Sequence, residues 1–154
     1  MIIKIFLGIS IICACTAIGG IKAARLKQKR DFFMGLENFL IYLKREISFS
    51  FSDISTVIRS YSSSSEDVRN LLEGFIEGSV AIPKFLSESE RLFVLEFFEK
   101  IGKSDKVNEL ELINFFQDEI CKLREMENIK CIKMSKIYVK LGFFIGMIVF
   151  VVIV

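Results

Sequence analysis

IFLGISIICACTAIGGI, at residues 5–21, and LGFFIGMIVFVVIV, at residues 141–154, are two uncharged apolar runs near the two ends of this 154-residue chain. As helices they would measure about 25 and 21 Å, against roughly 30 Å of bilayer hydrocarbon. Flanking lysines can lengthen both, because their amines reach back to the headgroups. We predict that both runs are transmembrane helices.

Charge divides the chain in the same way. All 19 acidic residues fall between Asp31 and Glu127, and residues 31–129 hold 11 basic residues, a net charge of −8. An acidic body argues against nucleic acid as a partner. The basic residues beside the apolar runs suit anionic lipid headgroups. The predicted membrane-surface contacts are Lys22, Arg25, Lys27, Lys29, Arg30, Lys130, Lys133, Lys136 and Lys140.

The same cations predict the topology. Nine flank the apolar runs on the side of the central residues, and only Lys4 lies on the other side. By the positive-inside rule, the central domain is cytoplasmic and both ends lie across the membrane. We expect the first run to remain as an uncleaved anchor, since no small-x-small cleavage site follows it. A lipoprotein-like domain outside the cytoplasm, acylated at Cys15, is the alternative.

The predicted fold class is all-α, a membrane-anchored helical bundle with N- and C-terminal transmembrane helices. Residues 1–25 form the first transmembrane helix with its basic collar, residues 26–136 the cytoplasmic bundle, and residues 137–154 the second transmembrane helix. The apolar spacing is helical throughout and the chain has a single proline. One apolar seam consists of Phe33, Leu36, Leu40, Leu43 and Ile47. No helix-breaking residue separates it from the first apolar run, so one helix should continue from that run to about Ser50.

Three shorter helices and one long one should follow. The first covers residues 53–60, the second follows an N-cap at Ser64, and the third opens with the capping box of Ser87 and Glu90. The last begins at Ser104 or Asp105 and shows no stop signal. Most of the phenylalanines should lie in the core, but the adjacent Phe97 and Phe98 cannot point the same way, and exposure of one of them as a docking contact is the alternative.

A seven-residue register runs through the last helix from Ile113 to Leu141, with polar residues at Glu127 and Lys130. If the first and last helices pair antiparallel, Lys29 reaches the height of Glu127. This predicts a stalk with a Lys29–Glu127 ion pair. The alternative is that these residues face water or headgroups. Gly142 and Gly146 form a small-xxx-small pair, which favours transmembrane packing on the first segment or a partner, unless the spacing is accidental.

Residues for chemistry are scarce. The chain has no histidine, no phosphate-binding loop and no dinucleotide glycine pattern, and its four cysteines lack metal-ligand spacing. We therefore predict no catalytic, cofactor or metal site, and no enzyme activity.

The order of several short motifs resembles the stage III sporulation protein AB family. At the start, Gly19-Gly20 is followed by Ala24 and Arg30, then by the leucine-spaced helix ending at Glu46-Ile47. Residues 102–105 resemble the family's Gly-x-x-Asp turn, and Leu141-Gly142 with Gly146 resembles its Leu-Gly-x-x-x-Gly entry into the closing segment. One departure is residues 51–54, Phe-Ser-Asp-Ile, where the family usually has Thr-Pro-Leu.

The resemblance implies a helical domain similar to the cytoplasmic domains of protein F of type II secretion systems. It also implies a non-enzymatic platform in the channel complex joining mother cell and forespore, in the mother-cell membrane around the forespore. Expected partners are membrane lipids and other stage III sporulation channel proteins, including a secretion-type ATPase; a homo-oligomer is left open. The alternative function is a membrane-associated regulator or chaperone of another membrane complex.

Overall fold

Five α-helices account for most of the residues that the structure describes. A computed structural model describes residues 2–49 and 53–153, with side chains for residues 9–49 and 53–151. The helices are α1 (Ile2–Phe49), α2 (Ile54–Ser60), α3 (Glu66–Ile76), α4 (Glu88–Lys100) and α5 (Lys106–Ile153). No strand occurs in the described ranges, which confirms the all-α prediction. The predicted helix end at Ser50 and the family departure at residues 51 and 52 lie outside the described residues.

The chain forms two compact units. The hairpin unit consists of Met1–Arg30 and Met126–Val154, and the central unit of Asp31–Glu125. The two long helices, α1 and α5, contribute to both units. The hairpin unit holds 10 basic residues and one acidic residue, whereas the central unit holds 18 acidic and 11 basic residues.

The central unit is built on the predicted seam of α1. Phe33, Leu36, Leu40, Leu43 and Ile47 are all buried. They share one core with apolar residues of the four other helices, among them Val57, Leu71, Val94 and Ile113. Each fully buried side chain of this size contributes about 1.5–3 kcal/mol, so packing of this face holds the unit together.

Aromatic packing decides between the two alternatives for Phe97 and Phe98. Phe97 and Phe98 are both buried, at 3% and 4% exposure. Although they leave α4 in different directions, each finds another ring: Phe97 contacts Phe116 at 5.1 Å between centroids, and Phe98 contacts Phe75 at 5.0 Å. Both rings therefore belong to the core, as expected of most phenylalanines, and neither is exposed because α4 packs on two sides.

The helix starts agree with the capping signals, with one shift. Helix α3 begins after Ser65 rather than Ser64, since the Ser65 carbonyl accepts the Arg69 amide at 3.0 Å. In α4 the Ser87 amide donates to Glu90 Oε2 at 2.8 Å, as the capping box predicts. Helix α5 begins at Lys106, directly after Asp105.

A buried carboxylate fixes the turn between α4 and α5. Glu109 is only 3% exposed, and its Oε1 accepts the backbone N–H of Gly102 at 2.6 Å. Gly102 has φ of +81°, a left-handed conformation that glycine adopts without strain. The Gly102–Asp105 turn is therefore tied to the helix that follows it.

Candidate functional site

The hairpin unit contains every residue predicted to act at the membrane. Seven of the nine collar cations are exposed, and Lys29 and Arg30 are half-buried. Five of these nine cations lie on α1 and four lie on α5. The structure thus presents cations on both helices of the unit, as a surface for anionic headgroups requires.

Glu127 is the only acidic residue of the hairpin unit and is buried there. Its Oε1 lies 3.4 Å from Lys29 Nζ on α1 and 2.7 Å from Lys130 Nζ on its own helix. The Lys29 side chain is 17% exposed and that of Lys130 is 51% exposed. The predicted Lys29–Glu127 pair is confirmed. It joins α1 to α5 and satisfies a carboxylate that burial alone would destabilise.

Three glycines bring the backbones of α1 and α5 into direct contact. A Cβ on Gly142 would lie 2.6 Å from the Cys15 carbonyl oxygen, and one on Gly146 would lie 2.8 Å from Ile12 Cα. On α1, a Cβ on Gly19 would lie 2.5 Å from the Tyr138 carbonyl oxygen. Both predicted packing glycines therefore face α1 within this chain. Gly19 was not among the predicted packing residues. It lies one helical turn after Cys15, the residue that Gly142 contacts.

The seven-residue register of α5 fails beyond Glu127. Its continuation, at Lys130, Met134, Ile137 and Leu141, is exposed, and the buried positions are instead Cys131, Gly142 and Gly146. A register of 3.5 residues per turn drifts about 20° per heptad from a straight helix of 3.6. Four heptads separate Ile113 from Leu141, so the drift amounts to nearly one residue. The buried face follows the straight helix.

The remaining surface of the unit is apolar. Exposed side chains include Ile18, Ile21, Phe143, Phe144, Ile148 and Val151. The two long helices are long and apolar enough to cross a membrane, and their most apolar windows are only 6% and 11% buried within the protein. A soluble core helix would be mostly buried, so these surfaces are suited to lipid.

A few exposed apolar residues were not anticipated. In the central unit, Leu92 and Phe115 are each 58% exposed. Leu92 lies three residues before Leu95 and so shares a helical face with it, and only the packing shows that Leu92 is exposed. Among the described residues no group of three potential metal ligands comes together.

Comparison with known proteins decides the family. Residues 4–79 match the family model described as stage III sporulation protein AB. The chain belongs to this family. The match includes α1 from residue 4 onward, α2 and α3, whereas the resemblances at residues 102–105 and 141–146 lie outside it. No curated protein and no solved structure matches significantly. A protein of this family has a role in sporulation, and the two long apolar helices agree with a membrane location.

Proposed function

We propose that this member of the stage III sporulation protein AB family is a non-enzymatic platform in the channel complex between mother cell and forespore. It lies in the mother-cell membrane around the forespore, with the central unit in the cytoplasm and both ends across the membrane. There the central unit docks a cytoplasmic secretion-type ATPase, alongside other proteins of the complex. Membership of the family supports a role in sporulation, whereas the platform role is the further part of this proposal.

The division of charge supports this arrangement best. The hairpin unit has a net charge of +9 and the central unit one of −7. Cations beside the apolar segments hold the hairpin against anionic headgroups. The acidic central unit is repelled from the same headgroups and is left available to a protein with a basic surface. Such complementarity raises the association rate and orients the partners.

Deletion of the gene tests the sporulation role. An in-frame deletion should arrest spore development after engulfment, and a copy restored elsewhere should rescue it. Normal spore yield in the deletion strain would contradict the proposal.

Docking needs a separate experiment. The full-length protein, purified in detergent, should retain the ATPase at a fixed ratio, and added salt should weaken the complex because charge drives its formation. Replacing the exposed Glu73, Glu77 and Glu99 by lysine should slow association, whereas replacing the exposed Lys84 and Lys103 by glutamate should not. Binding that ignores both salt and these changes would exclude electrostatic docking. Turnover on varied membrane-protein clients, without stoichiometric ATPase, would favour the regulator or chaperone function.

A further inference from the structure

A groove opens on one side of the hairpin unit where α1 and α5 approach each other. Its volume is about 310 Å³, within the range of about 300–1,000 Å³ found for ligand clefts. Gly19 and Gly142 lie between its walls, along the line where the two backbones touch. Its walls are Cys15, Ile18 and Lys22 of α1 and Tyr138, Leu141 and Ile145 of α5.

The groove has a polar end and an apolar end. Lys22 and Tyr138 lie at the same end, with the Lys22 Nζ over the Tyr138 ring at 5.8 Å from its centroid. From there α1 continues through Ile18 to Cys15, and α5 through Leu141 to Ile145, into the two uncharged runs. Each wall covers eight residues, whose ends lie about 10 Å apart along the helix. A ligand must therefore carry a charged head and an apolar chain.

The charge at the polar end selects an anion. The sequence has no acidic residue before Asp31 or after Glu127, and Glu127 is already bonded to Lys29 and Lys130. The Lys22 amine sits where the apolar segment meets the collar, which is the depth of the lipid phosphates for a helix that crosses the membrane. Arg25 and Lys136 add positive charge within one turn of the groove's polar end.

We propose that this groove binds one anionic phospholipid, such as phosphatidylglycerol. Its phosphate accepts hydrogen bonds from Lys22, and one acyl chain lies over Gly19 and Gly142, between Ile18 and Ile145. The glycines allow the helices to touch, and the acyl chain lies along that contact. This site does not depend on the channel role and needs only the hairpin in a bilayer.

Fluorescence quenching by brominated lipids tests the site, because the chain has no tryptophan and a single one can be introduced. Ile145→Trp reports from the groove and Phe144→Trp, on a residue that does not line it, is the matched control. Full-length protein is reconstituted in phosphatidylcholine vesicles containing brominated phosphatidylglycerol or brominated phosphatidylcholine. At Ile145→Trp the anionic lipid should bind about fivefold more tightly, the selectivity of one cation near a headgroup. Phe144→Trp should show no preference.

Charge removal distinguishes this site from general attraction by the collar. Lys22→Gln should abolish the preference at Ile145→Trp, and Lys27→Gln, an equally exposed cation of α1 outside the groove, should leave it. Helix content by circular dichroism checks that each variant folds. Equal preference at both reporters, or a preference that survives Lys22→Gln, would overturn the proposal. So would loss of the preference on adding soluble glycerol phosphate, or a groove reporter that no lipid quenches because a second copy covers it.

Discussion

At the scale of single residues, Glu127 shows how one polar position can fix a helix pair. It lies among apolar and basic residues, buried, with the Lys29 and Lys130 amines on one of its oxygens. The two amines are not equivalent. Lys29 comes from the other helix and is largely buried, whereas Lys130 is half-exposed and comes from the next turn. The contact from Lys130 is the shorter of the two, but the Lys130 side chain reaches solvent, which screens its charge.

Charge reversal tests the pairing of Lys29 with Glu127. Lys29→Glu and Glu127→Lys should each lower the free energy of unfolding by about 2 kcal/mol or more, because each leaves like charges buried together. The double exchange should recover part of this loss, limited by repulsion between Lys130 and the new lysine. The measurement is thermal unfolding of the full-length protein in detergent. Lys130→Gln, the control, should cost less than either reversal, because glutamine can still donate a hydrogen bond to Glu127 and Lys29 remains. Equal damage from both single variants and the double variant would exclude the pair.

Glu109 gives a second residue-level test. Glu109→Ala removes the carboxylate that accepts the Gly102 N–H, and loss of a hydrogen bond to a charged group should cost about 1.5–3 kcal/mol. Glu111→Ala, on an exposed side chain two residues further along α5, should stay within about 0.5 kcal/mol of the parent. Denaturant unfolding compares the two. If both variants unfold alike, the bond from Gly102 does not hold the turn.

At the scale of elements, the contact between α1 and α5 depends on glycine more than on apolar side chains. In lipid, apolar surface gains nothing by leaving its surroundings, so close packing must drive association. The contacts at Gly19, Gly142 and Gly146 bring backbone against backbone, which no larger residue permits. For this reason the apolar residues of the seven-residue register are exposed beyond Glu127, whereas glycines occupy the buried contact between the two helices.

Two neighbouring glycines provide a matched pair of variants. Gly19→Ala would place its Cβ 2.5 Å from the Tyr138 carbonyl oxygen, whereas a Cβ on Gly20 meets nothing within 4 Å. Overpacking costs about 1–3 kcal/mol, so Gly19→Ala should lower the Tm by roughly 3–10 °C. Gly20→Ala should leave it unchanged or slightly higher, because alanine is the better helix former. The same Tm for both variants would show that the helices can separate there without cost.

At the scale of the whole molecule, the membrane topology is the prediction with most consequence for function. Lys84 lies exposed between α3 and α4. Trypsin should cleave there in inverted membrane vesicles, leaving two fragments that each keep one apolar segment. Right-side-out vesicles should protect this site until detergent is added. Cleavage in right-side-out vesicles alone would place the central unit outside the cytoplasm and contradict ATPase docking.

Much of this molecule follows from the sequence alone. The two apolar runs, the division of charge and the seam from Phe33 to Ile47 depend on composition and on the helical repeat, which act locally. The capping signals at Ser87 and Asp105 are local too, and each lies at a helix start in the structure. The Lys29–Glu127 pair could be predicted because two regular helices in antiparallel contact can pair in only a few registers.

Only the tertiary structure decided the rest. Whether Phe97 or Phe98 faces solvent depends on how many neighbours α4 has, and both rings are covered. Which face of α5 is buried beyond Glu127 depends on whether the helix supercoils. A drift of about 20° per heptad hardly changes the buried face over one heptad but shifts it by nearly one residue over four. The groove at Gly19 and Gly142 exists only once two backbones touch. Local sequence specifies helices and charges, whereas burial and cavities arise from contacts between residues far apart in the chain.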